Sequence, residues 1–351
     1  MANLLVTGGA GFIGANFVRY WNGKNPSDTI TVVDALTYAG NKQSLEGVDA
    51  ELVVADICDH RAMTALVKDR DIDTIAHFAA ETHVDRSIDG PDAFLQTNII
   101  GTHSLLKAAK ENWLDGGGKA HRFHHVSTDE VYGSLGPDDQ AFSETTAFKP
   151  NSPYSASKAA SDHLVRAYQQ TYGLETTTSN CSNNYGPYQF PEKLIPLFLL
   201  NCLHGKPLPI YGDGMNVRDW LHVEDHCRGI DAVITNGRIG ETYNIGGGQK
   251  LTNMSVIERI CGTVDAAFVE DSTLARRYPN APAAKGKRSD TLKTFVADRK
   301  GHDRCYAIDE TKARGRLGYQ PSRTFEEGLA QTVEWYLQNE GWWQALITRK
   351  I

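Results

Sequence analysis

Val6-Thr-Gly8-Gly9-Ala-Gly11-Phe-Ile-Gly14 follows the apolar run Leu4-Leu5-Val6 and leads straight into a helical pattern from Phe12. Two spacings overlap in it, Gly9-x-Gly11-x-x-Gly14 and Gly8-x-x-Gly11-x-x-Gly14. A pyrophosphate needs nearby backbone, free N–H groups and a helix N-terminus aimed at it, and missing side chains permit that approach. Glycine spacing alone also arises in ordinary turns. Here the motif sits between a strand and a helix, and Asp34 ends the next strand-like run twenty residues after Gly14. Such a carboxylate accepts hydrogen bonds from both ribose hydroxyls and repels a 2′-phosphate. The following Ala35 and Leu36 bring no Arg to hold one. The segment predicts a dinucleotide site of the NAD type rather than the NADP type.

Outward from this motif, short β-branched runs alternate with helix-length stretches. Asn3–Thr7, Thr29–Asp34, Glu51–Ala55, Thr74–Ala79 and Arg122–Ser127 read as strands, apolar on both faces as in a covered parallel sheet. Helical patterns cover Phe12–Asn22, Arg61–Asp69, Pro91–Asn112 and Pro153–Tyr172. The expected fold is α/β: a Rossmann-like doubly wound parallel sheet, with a smaller C-terminal substrate-binding domain. Residues 1–180 are expected to form the NAD-binding part. Residues 181–351 mainly form the second domain, with some later segments returning to the first. Beyond residue 180, Asn183–Tyr188, Pro207–Gly214 and Gly246–Gly248 read as loops around a site. Thr324–Leu337 reads as an amphipathic helix. The stretch from Asp271 to Arg304 carries nine Lys/Arg against four Asp and reads mostly as a solvated loop.

Composition narrows the function classes. The 351 residues carry a formal net charge of −7, which argues against a nucleic-acid binder. No apolar run is long enough to suggest a membrane span, and the start Met-Ala-Asn-Leu-Leu-Val-Thr has no basic stretch, so no signal peptide is expected. The six cysteines (58, 181, 202, 227, 261, 305) are scattered, without zinc spacing. They read as reduced, cytoplasmic core residues, and no metal is expected.

Two further constellations carry chemistry. Tyr154-Ser-Ala-Ser-Lys158 puts a phenol and an ammonium on one helix face, with Ser152-Pro153 as N-cap and Gly173 as the stop. The ammonium, with the charge of an oxidised nicotinamide, is expected to lower the phenol's pKa and make Tyr154 a base for a hydroxyl proton. Ser127-Thr128-Asp129-Glu130 lies at a strand end, where chemistry sits in such sheets. Thr128 suits a substrate hydroxyl. Two adjacent carboxyl groups exceed what simple oxidation requires, and one acid plus one base is the minimum for eliminating water.

With these residues in view, the chain resembles the extended short-chain dehydrogenase/reductase family, and within it the sugar-nucleotide 4,6-dehydratases. The resemblance runs nearly end to end. It is carried by Thr7-Gly-Gly-Ala-Gly-Phe-Ile-Gly14, His77-Phe-Ala-Ala-Glu-Thr-His-Val-Asp-Arg-Ser87, Thr128-Asp-Glu-Val-Tyr-Gly133, Tyr154-Ser-Ala-Ser-Lys158, Asn180-Cys-Ser-Asn-Asn-Tyr-Gly-Pro187, Phe190-Pro-Glu-Lys-Leu-Ile-Pro196, Arg218-Asp-Trp220 and Gly301-His-Asp-Arg304. Thr82 stands where the family has Ser and Lys300 where it has Pro, both in the nucleotide-facing half.

The resemblance implies an NAD-dependent hydro-lyase of deoxysugar biosynthesis acting on a nucleotide sugar, dTDP-glucose foremost. A UDP- or CDP-glucose dehydratase and a 4-epimerase of the same fold are the alternatives. It implies catalysis by Thr128, Asp129, Glu130, Tyr154 and Lys158. Implied cofactor contacts are Gly8, Gly11, Phe12, Ile13, Gly14, Asp34, Asp56, Ile57, Ala79, Ala80, Thr97 and Asn184, together with Tyr154 and Lys158. Implied substrate contacts are Thr82, Thr128, Asn183, Lys193, Leu194, Arg218, Asn253, Arg299 and His302. A cytoplasmic homodimer, paired through the helices around 91–112 and 153–172, is implied as well.

Overall fold

The computed structural model describes residues 1–136 and 138–348. Its strands are β1 (Asn3–Thr7), β2 (Thr29–Asp34), β3 (Glu51–Val54), β4 (Thr74–His77), β5 (Arg122–Thr128), β6 (Thr176–Cys181), β7 (Asn183–Tyr185), β8 (Leu208–Tyr211), β9 (Val217–His222), β10 (Thr242–Ile245), β11 (Lys250–Thr252) and β12 (Lys293–Val296). Seven of them form one parallel sheet in the order β10-β6-β5-β4-β1-β2-β3. Chain order reverses between β1 and β4, and a crevice opens beyond the carboxyl ends of strands at such a switch point. The last strand to join, β10, comes from far down the chain.

Both faces of the sheet are covered. On one, helices His60–Asp69, Thr102–Trp113 and Pro153–Tyr172 bury Met63, Leu105, Trp113 and Val165 against Leu5, Ile75 and Phe123. On the other, Phe12–Lys24 and Val223–Asn236 bury Phe17, Trp21 and Ile230 against Leu4, Val6 and Val32. Tyr20 of the first helix donates to Asp231 of the second at 2.8 Å, so a late segment is tied to the earliest one. A separate apolar core unites helices Leu194–His204, Asn253–Glu270, Phe325–Gln338 and Glu340–Thr348 around Phe198, Ile260, Phe325 and Trp343.

Three expectations need correction. Pro91–Asn112 is not one regular helix: a short turn at Asp92–Phe94 passes into a π-helical segment, Leu95–Gly101, before the α-helix Thr102–Trp113. A wider turn admits an extra residue without ending the helix, which periodicity does not reveal. It turns Asn98 inward, where its amide donates to Glu81 O at 3.0 Å and Ser157 Oγ at 2.8 Å. Next, the expected loops Asn183–Tyr188 and Pro207–Gly214 contain β7 and β8, strands of three and four residues, too short to show alternation. Finally, the basic stretch 271–304 is not all loop, because β12 pairs in parallel with β8.

Candidate active site

A cleft of about 340 Å³ opens over the switch point. All the residues expected to touch the cofactor border it, from Gly8 and Asp34 at one end to Lys158 and Asn184 at the other. Gly8 has a φ of +69°, and a Cβ there would lie 2.7 Å from the backbone of Ala79. A Cβ on Gly14 would lie 2.3 Å from the Gly8 carbonyl oxygen. The loop thus folds onto β4 and onto itself with no room for side chains, leaving a cradle suited to a pyrophosphate. Gly14→Ala is expected to lower stability by about 1–3 kcal/mol and NAD affinity at least about tenfold, as thermal unfolding and calorimetric titration would measure. Unchanged affinity would remove the loop from cofactor binding.

At the end of β2, Asp34 Oδ2 accepts the Ala10 N–H at 2.9 Å and Oδ1 accepts Leu36 N–H at 2.8 Å. Burial raises its pKa against these two bonds. The two amides fix the carboxylate plane, and each oxygen keeps a lone pair for a ribose hydroxyl.

Ser152 caps the helix Pro153–Tyr172 in a reciprocal box with Ser155, and Gly173 closes it in the left-handed conformation. The helix carries Tyr154 and Lys158 into the cleft beside β5. Lys158 Nζ donates to the Val126 carbonyl at 2.9 Å. The expected lowering of the Tyr154 pKa is not what the protein alone produces. Burial and the Glu130 carboxyl push it well above the usual tyrosine value, and only the Thr128 hydroxyl pulls it down. Lowering it therefore falls to a cation brought in beside it.

After β5 the chain makes a short helical turn, Asp129–Tyr132, with Thr128 Oγ1 accepting the Glu130 N–H at 3.3 Å. Both carboxyl groups border the cleft together with Tyr154. Their surroundings differ. Asp129 is buried with Oδ2 unpartnered among the described residues; burial, then Glu130 and Asp219, hold its pKa well above the carboxylate range. Glu130 is half-buried, and burial raises it too, but Arg218, Arg299 and Lys193 all pull it down. The two neighbouring carboxyls are thus held unequally toward the protonated form, Asp129 further than Glu130.

Of the expected substrate contacts, Thr82, Thr128, Asn183 and Lys193 border the cleft, and Lys193 Nζ donates to the Thr82 carbonyl at 3.1 Å. Arg218 and Arg299 stand close enough to act on Glu130 without lining the cleft. Arg218 stacks 4.3 Å over the Tyr306 ring and donates to the carbonyls of Val217 (2.7 Å) and Asp303 (2.9 Å), so part of its fork is already committed. Arg299 reaches Asp85 at 3.4 Å. His302 pairs with Asp298 at 2.6 Å. Leu194 and Asn253 lie elsewhere: Leu194 packs on the second core, and Asn253 begins a helix, its N–H donating to Asn216 O at 2.9 Å.

Sequence reasoning passed over a clasp across the Asp34 end. Tyr38 donates to Glu192 at 3.0 Å, lies under the Arg86 guanidinium at 3.8 Å, and meets the Phe190 ring edge-on at 5.5 Å. Glu192 also pairs with Arg86 at 3.4 Å. The signal was faint: a Thr-Tyr-Ala-Gly turn just past Asp34, after Leu36 at a φ of 51°.

Comparison with known proteins agrees along the whole chain. The family described as GDP-mannose 4,6 dehydratase matches residues 5–332. A dTDP-glucose 4,6-dehydratase of Neisseria meningitidis serogroup B is 52% identical over 354 residues, covering 99% of this chain and 96% of that one. The dTDP-glucose 4,6-dehydratase 1 of Escherichia coli K12 is 53% identical, covering 97% and 94%. Among solved structures, the Streptomyces venezuelae dTDP-glucose 4,6-dehydratase DesIV, determined with NAD bound, superposes with a TM-score of 0.86 at 47% identity, over 98% of this chain and 99% of that one.

Proposed function

This chain belongs to the GDP-mannose 4,6 dehydratase family, and on that premise we propose that it converts dTDP-glucose to dTDP-4-keto-6-deoxyglucose with NAD as its cofactor. The observation that carries this reading is the pair of unlike carboxyl groups sharing a cleft with Tyr154. A 4-epimerase has no need of them.

The residues suit the cofactor: the glycine loop leaves a cradle that a single Cβ would fill, and Asp34 offers its carboxylate to a ribose. When bound, NAD supplies a hydride acceptor whose hydride is later given back to the sugar. Tyr154 takes the proton from the sugar O4 as hydride leaves C4, and Lys158 supplies positive charge beside the phenol. Thr128 steadies the O4 hydroxyl. The ketone formed at C4 acidifies the C5 proton, which Glu130 removes. Asp129, kept protonated by its burial, gives its proton to the departing C6 hydroxyl, and water is lost. Glu130 gives its proton back to C5 as the hydride returns to C6, giving the 4-keto-6-deoxy sugar. A C–O bond β to a ketone breaks readily and the same bond in the alcohol does not, so temporary oxidation makes the elimination possible.

Within this reading residues 1–180, with β10 and the helix Val223–Asn236 returning to the sheet, hold NAD, and the rest of 181–351 holds the nucleotide sugar. Leu95, Ile100 and Tyr172 are 45%, 48% and 49% exposed on the helices expected to pair, which favours a homodimer built there. No helix among the described residues is long and apolar enough to cross a membrane. The free cysteines among those residues fit a cytoplasmic site of action.

The test is incubation with dTDP-, UDP-, CDP- and GDP-hexoses and mass detection of product. Loss of water from dTDP-glucose at the highest rate is expected. An epimer of unchanged mass, or preference for another base, would overturn the assignment.

A further inference from the structure

Helix Pro153–Tyr172 carries a second charged group that the reaction steps above leave unused. Asp162 stands four residues beyond Lys158, on the same helix face. Its Oδ2 accepts the Ser127 hydroxyl at 2.9 Å, and its Oδ1 lies 3.0 Å from His125 Nε2. Ser127 and His125 are alternate residues of β5, so their side chains share one face of the sheet. Between them stands Val126, whose carbonyl accepts Lys158 Nζ at 2.9 Å. Three consecutive residues of one strand therefore hold both the ammonium and the carboxyl group of one helix. His125 Nδ1 is buried without a partner among the described residues, and burial keeps the ring neutral, so its one proton belongs on Nε2, facing Asp162.

We propose that Asp162 is a positioning residue for the reaction, a fixed buried carboxylate that acts through Lys158 to keep it an ammonium beside Tyr154. This rests on the roles given above to Tyr154 and Lys158. Lys158 is only 4% exposed, and burial drives such a group toward its neutral form. One carbonyl hydrogen bond does not replace the water it has lost, and a nearby anion offsets part of what is missing. The titratable groups facing Lys158 are Asp162 on its own helix, Cys181 on β6, and His125 and His77 on β5 and β4. Burial keeps both rings neutral and holds Cys181 as a thiol, so Asp162 is the anion among them.

Asp162 itself faces Ser127 and His125 on β5, Asn180 on β6, Tyr132 on the following turn, and Lys158 and His163 on its own helix. Burial pushes its pKa up to about 7, while Lys158 and Ser127 hold it down. Its support for the ammonium is therefore present above about pH 7 and lost below it.

The test is Asp162→Asn, close in shape, in the full chain. Lysine ε-carbon NMR follows the Lys158 titration, assigned by its absence from Lys158→Met, and rapid mixing with dTDP-glucose follows NADH formation. The Lys158 midpoint is expected to fall by about one pH unit, with the alkaline loss of NADH formation moved down by the same amount, so that it is about tenfold slower beyond that midpoint, and KM within roughly threefold of wild type. An unchanged midpoint overturns the proposal. So does a lowered midpoint with the wild-type pH profile of hydride transfer. Should Asp162→Asn fail to fold, Ser127→Ala, which removes one hold on the carboxylate, is expected to shift the midpoint the same way by less; no shift overturns the proposal equally. Wild-type protein that forms no NADH would sink the dehydratase reading instead, and the titration would still decide the role of Asp162.

Discussion

Tyr154→Phe is expected to stop the reaction before its first intermediate: rapid mixing with dTDP-glucose gives no NADH absorbance, and the first hydride transfer slows roughly thousandfold. The substitution removes one oxygen and leaves the ring where it packs, edge-on to Phe94 at 6.3 Å, so the fold and the cofactor cleft should survive. What disappears is the group that takes the O4 proton. Thr128 is the neighbouring hydroxyl, but an aliphatic alcohol is far too weak an acid to exist as its anion in that setting. Lys158 is the other neighbour, but as an ammonium bonded to the Val126 carbonyl it carries no free lone pair to take a proton. A transient within tenfold of wild type would take Tyr154 out of the base role.

Glu130→Gln is expected to separate the half-reactions. The first oxidation should proceed, because Tyr154 and Lys158 are untouched, and NADH should rise and then persist instead of decaying. Loss of water, followed by mass, should fall roughly thousandfold. The amide keeps the shape of the side chain and discards both its charge and its basicity. Arg218, Arg299 and Lys193, which oppose burial and favour the ionised acid, would then surround a neutral group. Asp129 cannot take over, since its own burial and its neighbour Asp219 favour the protonated form. NAD affinity should be unchanged. Elimination at the wild-type rate would exclude Glu130 as the C5 base.

Much of this architecture was legible in residue order because the deciding signals are local. Strand, glycine turn, helix and Asp34 fall within the first thirty-four residues, and β1 and β2 occupy the predicted spans. The catalytic helix was equally plain, since Ser152, Pro153 and Gly173 mark its ends by their own backbone preferences. The bulge that turns Asn98 inward was not, because a π turn keeps the composition of an α-helix. Nor was the parallel pairing of β8 with β12, whose partners lie more than eighty residues apart. The surroundings of Tyr154 were legible only in part. Spacing shows that a lysine shares its helix face, but not that burial and Glu130 raise the phenol's pKa in the protein alone. Side chains that act from a distance, such as Asp162 or the Tyr38–Glu192 contact, depend on which strands lie side by side, and that is settled only by the folded chain.

The loop from Gly186 to Lys193 belongs to both halves of the molecule. Glu192 binds Tyr38 and Arg86, while the carbonyl of Gln189 accepts the hydroxyl of Tyr336 and the Tyr188 ring sits 4.6 Å from that of Trp335. A buckle fastened at both ends opens only when contacts on both sides give way. On the proposed function, a dinucleotide in the cleft that Tyr38, Gln189 and Glu192 border would gain from staying through the whole round, since the reaction hands its hydride back.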